Sequence, residues 1–208
     1  MNIARILYPV EVLGPGKRIG IWLAGCPHHC PNCCNPELWK QRPEFEISVE
    51  SIFDFVQQIA AQRPVDGITI SGGDPFSQAG QLSKLLDKLN TLTEDILVYT
   101  GYTMAELQSS QNPDIQDCLS RIAVLIDGRY EESLNDGVPL RGSSNQQVIV
   151  LRKSVADQYS SYMKKVPAHT MQNFISSDGV ISVGIPRAGF KQDFESTIQK
   201  RGIHFDGN

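Results

Sequence analysis

The sequence has no surplus of positive charge. Its 208 residues carry 19 Lys and Arg against 23 Asp and Glu, a formal net charge of −4. Without a basic field, neither nucleic acid nor an anionic membrane is expected as a main partner. The amino terminus has no basic region followed by an apolar core, so no leader is expected, and a cytoplasmic location is. The uncharged stretch from Ile19 to Pro36 is interrupted by Pro27, His28, His29, Pro31, Asn32 and Asn35, which does not suit a bilayer. Cysteines are few and not dispersed: four of the five fall between Cys26 and Cys34. A disulfide framework spreads its cysteines, so this clustering points to a reducing compartment and a metal. Cys118 stands alone in an apolar helical pattern and reads as a small core residue.

What is present centres on Gly25-Cys26-Pro27-His28-His29-Cys30-Pro31-Asn32-Cys33-Cys34-Asn35. Cys26, Cys30 and Cys33 stand at C-x3-C-x2-C spacing. The Pro, His and Asn linkers make this a loop. A closed zinc site or an ordinary iron–sulfur cluster takes four protein ligands. Three thiolates on a cubane [4Fe-4S] cluster leave one iron open. The competing readings are a zinc knuckle completed by Cys34, His28 or His29, and a coincidental cysteine cluster. Adjacent Cys33 and Cys34 ligate one metal together only with strain. The loop resembles the radical-SAM superfamily. That resemblance implies S-adenosylmethionine (SAM) on the open iron and its reductive cleavage to a 5′-deoxyadenosyl radical.

Charged residues make up 20% and hydrophobic residues 40%, as in a soluble globular protein, and the length allows one domain with a substantial core. Apolar residues 3–13 end at the turn Gly14-Pro15-Gly16. The run Ile19–Ala24 is apolar throughout, as expected of a strand buried on both faces, and the cysteine loop follows it directly. Chemistry in parallel α/β folds sits at that carboxyl end. Ser48 is expected to cap a helix carrying Val49, Ile52, Phe53, Val56 and Ile59. The strand Gly67–Ile70 runs into Ser71-Gly72-Gly73-Asp74-Pro75, where two glycines allow close backbone approach and a carboxylate suits a cation. Leu82, Leu85, Leu86 and Leu89 mark a helix, Ile96–Tyr99 a strand, and Thr103 with Glu106 a capping box. A short helical face at Ile115, Cys118 and Leu119 precedes the strands Ile122–Ile126 and Gln147–Leu151. Alternating strands and helices predict parallel βαβ units. Five or six strands are too few for a closed eight-stranded barrel. The expected fold is α/β, an open, partial (βα)6 barrel, with a flat doubly wound sheet as the alternative.

Seven stretches occur in an order that resembles one family. They are Gly14–Gly16, Gly25–Cys30, Cys33–Trp39, Ser71–Pro75, Tyr99–Thr103, Leu125–Arg129 and Arg141–Gln146. Together they are similar to the anaerobic ribonucleoside-triphosphate reductase activating proteins, small radical-SAM glycyl-radical activases. The resemblance covers roughly residues 5–151 and implies a radical-SAM core domain over 1–151. It implies Cys26, Cys30 and Cys33 as cluster ligands, and a SAM-binding set of Asn32, Cys33, Cys34, Gly72, Gly73, Asp74, Thr100 and Asp127. Within that set Asp74, in place of the usual Glu, faces the SAM ammonium. It implies a protein substrate, the glycyl-radical subunit of anaerobic ribonucleotide reductase or a similar protein, and flavodoxin or ferredoxin as reductant. A radical-SAM enzyme acting on another peptide or small molecule is the alternative. His28 and His29 receive no chemistry.

Two departures from the family pattern stand out: the thiol of Cys34, and residues 152–208. The latter are expected to form an α+β extension packed on the core near the site's mouth, helping to select the partner. Within it Ser154 is expected to cap a helix, Phe174–Val183 to form a hairpin about Asp178-Gly179, and Phe190, Phe194 and Ile198 to share a helix ended by Gly202.

Overall fold

The structure is a computed structural model that describes residues 1–176 and 179–200. Its centre is a six-stranded sheet built of β1 (Ile3–Val10), β2 (Arg18–Leu23), β3 (Gly67–Gly72), β4 (Ile96–Tyr99), β5 (Val124–Asp127) and β6 (Gln147–Val150). Strand order in space follows strand order in the chain. β2 to β5 run parallel, and β1 and β6 pair antiparallel at the two edges.

Four helices make the crossovers: α1 (Val49–Gln62), α2 (Ala79–Leu89), α3 (Met104–Ser109) and α4 (Pro113–Arg121). Ser48 accepts from Ser51 N and starts α1, and Thr103 and Glu106 form a capping box on α3. α1 continues to Gln62, where Pro64 prevents further extension. The expected six βα units are three. Residues 128–146 contain a single short 3-10 turn and no crossover helix, so β6 returns antiparallel beside β5. The order also lacks the reversal that defines a doubly wound sheet.

Right-handed crossovers without reversal put their helices on one face. Ile19, Ile21, Ile68, Ile70 and Val98 point to that face and pack on Ile52, Val56, Leu82, Leu85, Leu86 and Leu89. Cys118 is fully buried there, and burial pushes its thiol up to about 12. The opposite face is covered by the carboxyl-terminal residues. α5 (Ala156–Lys165) brings Tyr159, Tyr162 and Met163 against Leu97, Val124 and Ile126. The antiparallel hairpin of β7 (Met171–Ser176) and β8 (Gly179–Gly184) brings Phe174, Ile181 and Val183 against Trp22, Val10 and Leu13. A large apolar side chain removed from water contributes about 1.5–3 kcal/mol as an upper estimate. α5 and the hairpin therefore help to hold the sheet together.

The local details of this region differ from expectation. A 3-10 turn over Lys153–Val155 precedes α5, so Val155 and not Ser154 stands at the helix start, with no side-chain cap. The hairpin forms as expected, though Asp178 of its turn lies outside the described residues. α6 (Phe190–Gln199) stacks Phe190 on Phe194 at 5.6 Å. The side chain of Ile198 and the stop at Gly202 lie outside the described residues.

Candidate active site

The cysteine loop leaves the carboxyl end of β2 and is closed at its base by two backbone bonds, Gly25 N to Leu38 O (2.8 Å) and Cys26 N to Trp39 O (2.9 Å). The glycines after β3 are stitched to the same base. Gly73 N donates to Leu23 O and Asp74 N to Gly25 O, each at 2.7 Å. Gly72 has φ +111°, and a Cβ there would lie 2.3 Å from Leu23 O; a Cβ at Gly73 would lie 2.3 Å from Gly25 O. Close packing of two strand ends thus demands both glycines before any ligand is considered.

Cys26, Cys30 and Cys33 are half-buried free thiols, and Cys34 is exposed. Burial pushes Cys26 and Cys30 up, opposed by the backbone N–H groups of His28 and His29 at Cys26 and of Tyr130 at Cys30. A hydrogen bond with the Cys34 thiol draws Cys33 down to about 6, and the same contact drives Cys34 well up. Asn35 holds both sulfurs, its N–H 3.4 Å from Cys33 Sγ and its amide 3.2 Å from Cys34 Sγ. The Trp39 indole N–H faces Cys33 outside hydrogen-bond geometry and adds to the lowering. Among the described residues, no three His, Cys, Asp or Glu side chains converge on a single-ion site. Three thiols on one loop, with backbone N–H groups already aimed at their sulfurs, are a donor set that fits an iron–sulfur cluster.

At the adjacent strand end, Asp74 is fully buried. It accepts from Phe76 N (2.9 Å), Gly101 N (2.8 Å), Thr100 Oγ1 (3.0 and 3.1 Å) and His28 Nε2 (2.9 Å). His28 Nδ1 lies 3.2 Å from Arg129 Nε. Arg129 can only donate, so Nδ1 accepts and Nε2 carries the proton given to Asp74. The structure therefore brings Asp74, Thr100 and the cysteine loop together. It adds His28 and Arg129, to which the sequence reading gave no part. One signal was available: His28 lies between Cys26 and Cys30 and Arg129 just beyond a strand end, but only folding shows that they meet.

The remaining expected residues take other positions. Thr100 orients Asp74 with its hydroxyl, which in turn accepts from Tyr102 N. Asp127 is buried at the same end of the sheet, but its oxygens are occupied by Met104 N (2.8 Å) and Gln147 N (2.9 Å), tying α3 to β6. Asn32, at φ +56°, gives its amide to Glu132 Oε2 at 2.7 Å. The other Glu132 oxygen lies 3.4 Å from Gly189 N, just before α6. The chain around residues 186–189 is therefore linked to the cysteine loop through Glu132, whereas Gln158 and Tyr159 of α5 bond Asp95 at the opposite end of the sheet.

Comparison with known proteins agrees with this geometry. A family model described as a 4Fe-4S single cluster domain matches residues 12–149. The chain is 36% identical over 152 residues to an anaerobic ribonucleoside-triphosphate reductase-activating protein of Vibrio cholerae serotype O1, covering 68% of this chain and 93% of the relative. It is 34% identical over 154 residues to the protein of that name from Escherichia coli strain K12, covering 70% and 96%. A pyruvate formate-lyase-activating enzyme of Staphylococcus aureus is 36% identical over 93 residues, covering 40% of this chain and 36% of that enzyme. The chain belongs to the family of anaerobic ribonucleoside-triphosphate reductase-activating proteins, with its 4Fe-4S single cluster domain.

Proposed function

We propose that the protein is a radical-SAM glycyl-radical activase that acts on the glycyl-radical subunit of an anaerobic ribonucleotide reductase. The observation that carries this reading is the juxtaposition of three cluster-type thiols with a buried carboxylate, Asp74, that has no permanently charged partner. The names of the relatives, which activate anaerobic ribonucleoside-triphosphate reductase, support the choice of substrate.

Cys26, Cys30 and Cys33 hold the [4Fe-4S] cluster through their thiolates. When bound, the cluster and SAM would supply the electron transfer and radical chemistry needed to oxidise a glycine of the substrate protein. The protein's part is placement. Asp74 accepts the SAM ammonium, aligned by Thr100 and Gly101 N. Gly72 and Gly73 bring the backbone close, and Asn32 to Cys34 line the cofactor's other side. Asp127 supports the site by fixing α3 and β6. Flavodoxin or ferredoxin serves as the one-electron donor, in a reducing cytoplasm that keeps the cysteines out of disulfides.

The fold proposed is an open, partial radical-SAM barrel, supported by chain-ordered strands and single-sided crossovers. Residues 1–151 form the core domain, and 152–208 an extension packed on it. A second reading has an observation of its own. The relatives are matched over 93–96% of their length but 68–70% of this chain, and the extension covers the sheet face that the crossovers leave open. A different peptide or small-molecule substrate selected by that extension follows from this.

Anaerobic reconstitution followed by iron and sulfide analysis should give about four irons for the three-thiolate site. With reductant, SAM should be cleaved to methionine and 5′-deoxyadenosine, and the reductase should acquire a glycyl-radical electron paramagnetic resonance signal. SAM cleavage without that signal selects the second reading. A cluster with no SAM cleavage overturns both.

A further inference from the structure

An ionised carboxylate offers about four acceptor positions, and at Asp74 all four are filled. Phe76 N, Gly101 N and the Thr100 hydroxyl are parts of the fixed frame at the ends of β3 and β4. The fourth donor, His28 Nε2, is a side chain that reaches across from the cysteine loop. No acceptor position is left for a cationic ligand while His28 stays in place. Of the four donors, His28 is the one whose departure leaves backbone and strand ends undisturbed.

We infer that His28 is a positioning residue that latches Asp74: it holds the acceptor position that the cofactor's ammonium takes, and it must swing away when the cofactor binds. This rests on the reading of Asp74 given above. The seat of the ring is built. The His28 side chain is 3% exposed, and its ring stands edge-on to Tyr102 at 4.5 Å. A Cβ at Gly101 would lie 2.4 Å from the ring, so only glycine leaves room for it. Arg129 Nε fixes the tautomer that donates to Asp74. Arg129 is the exposed member of this seat, whereas Asp74 is buried and Gly101 and Tyr102 are half-buried.

The latch couples two events that the sequence treats separately. While His28 bonds Asp74, the cysteine loop is tied to the carboxylate. When the ammonium replaces His28, the loop side chain and Arg129 are released together. A residue that merely braces the loop has no such exchange, and its removal only loosens the site.

The test is a double-mutant cycle on anaerobically reconstituted protein with the cluster oxidised, so that SAM binds without turnover, read by calorimetry. His28→Ala is expected to tighten SAM binding about tenfold, the scale of one hydrogen bond to a charged group. Asp74→Asn is expected to weaken binding, and His28→Ala in that background to change affinity less than about twofold, because the competition is gone. Unchanged or weaker binding by His28→Ala, or equal tightening in the Asp74→Asn background, overturns the latch. If Asp74→Asn alone leaves affinity unchanged, the ammonium reading of Asp74 fails and the latch with it. If Asp74→Asn weakens binding and His28→Ala does not tighten it, the latch fails alone. Where His28→Ala does not hold its cluster, nitrogen-15 resonances of His28 in cluster-free wild-type protein decide: the Nε2–H tautomer is expected, and the Nδ1–H tautomer overturns the proposal.

Discussion

Two buried carboxylates stand at opposite ends of one sheet, and each collects four donor groups. Asp95, just before β4, accepts from Arg18 Nη1 (2.8 Å), Arg18 Nη2 (3.1 Å), Gln158 Nε2 (2.9 Å) and Tyr159 Oη (2.7 Å). Asp74, just after β3, accepts from two backbone N–H groups, a hydroxyl and an imidazole. The difference is a fixed cation. Arg18 is fully buried and also bonds Thr69 Oγ1, Ile68 O and Pro15 O, so the pair at Asp95 is neutral and closed. Asp74 has the hydrogen bonds but no permanent positive charge. A buried carboxylate closed by arginine is architecture, whereas one held only by neutral donors is suited to a cationic ligand. On the proposed function the amino ends of the strands serve stability and the carboxyl ends serve chemistry, as parallel α/β folds lead one to expect.

The largest effect that bears on this contrast is all-or-none. Alanine at Cys26, Cys30 or Cys33 should abolish the cluster absorbance near the sheet's carboxyl end while leaving the melting temperature of the cluster-free protein unchanged. Cys34→Ala should keep the cluster. Retention of the cluster by Cys33→Ala with its loss in Cys34→Ala would break the ligand assignment.

Next comes the opposite end. Arg18→Met leaves Asp95 buried without its cation, at a cost of about 3–5 kcal/mol. Thermal unfolding should shift down by roughly 10 °C, at about 2–4 °C per kcal/mol for a chain of this size. SAM affinity of the folded protein should not change. An unaltered melting temperature would erase the distinction between the two carboxylates.

Asp74→Asn should have the reverse signature. SAM affinity should fall about ten- to a hundredfold, matching roughly 1.5–3 kcal/mol for a charge-assisted hydrogen bond, while the cluster still assembles. A melting-temperature loss as large as that of Arg18→Met, with SAM affinity intact, would make Asp74 architecture too.

The smallest effect sharpens the contrast through pH. Tyr159→Phe removes one hydrogen bond to Asp95, worth about 1 kcal/mol. Burial pushes the Tyr159 phenol well above its ordinary 10. Above about pH 10 the unfolded chain releases this proton and the folded chain keeps it, so stability falls as pH rises. In Tyr159→Phe that alkaline slope should flatten, as measured by denaturant unfolding between pH 9 and roughly 11. An identical slope in both proteins would mean that other groups produce it.

Much of this was legible in the sequence, because its signals are local. Hydrophobic period and caps placed α1, α2, α3 and β2 to β5, since Ser48, Thr103 with Glu106, and Pro64 act on the residues beside them. The C-x3-C-x2-C loop and Gly-Gly-Asp, with the other stretches in order, carried the resemblance to the family. Strand direction was less legible. The run at Gln147–Leu151 looks the same whichever way it pairs, and only the missing crossover helix over 128–146 turned β6 antiparallel.

What the sequence by itself determined is therefore the set of elements, the clustering of four cysteines on one loop and the acid that follows the next strand. Tertiary structure alone decided which polar groups share a charge. His28 meets Asp74 across 46 positions and Arg129 across 101, while Arg18 meets Asp95 across 77 and Tyr159 meets Asp95 across 64. No local propensity encodes such meetings. They arise because parallel strands bring all their carboxyl ends to one edge and all their amino ends to the other, and because a buried charge must find its partners there.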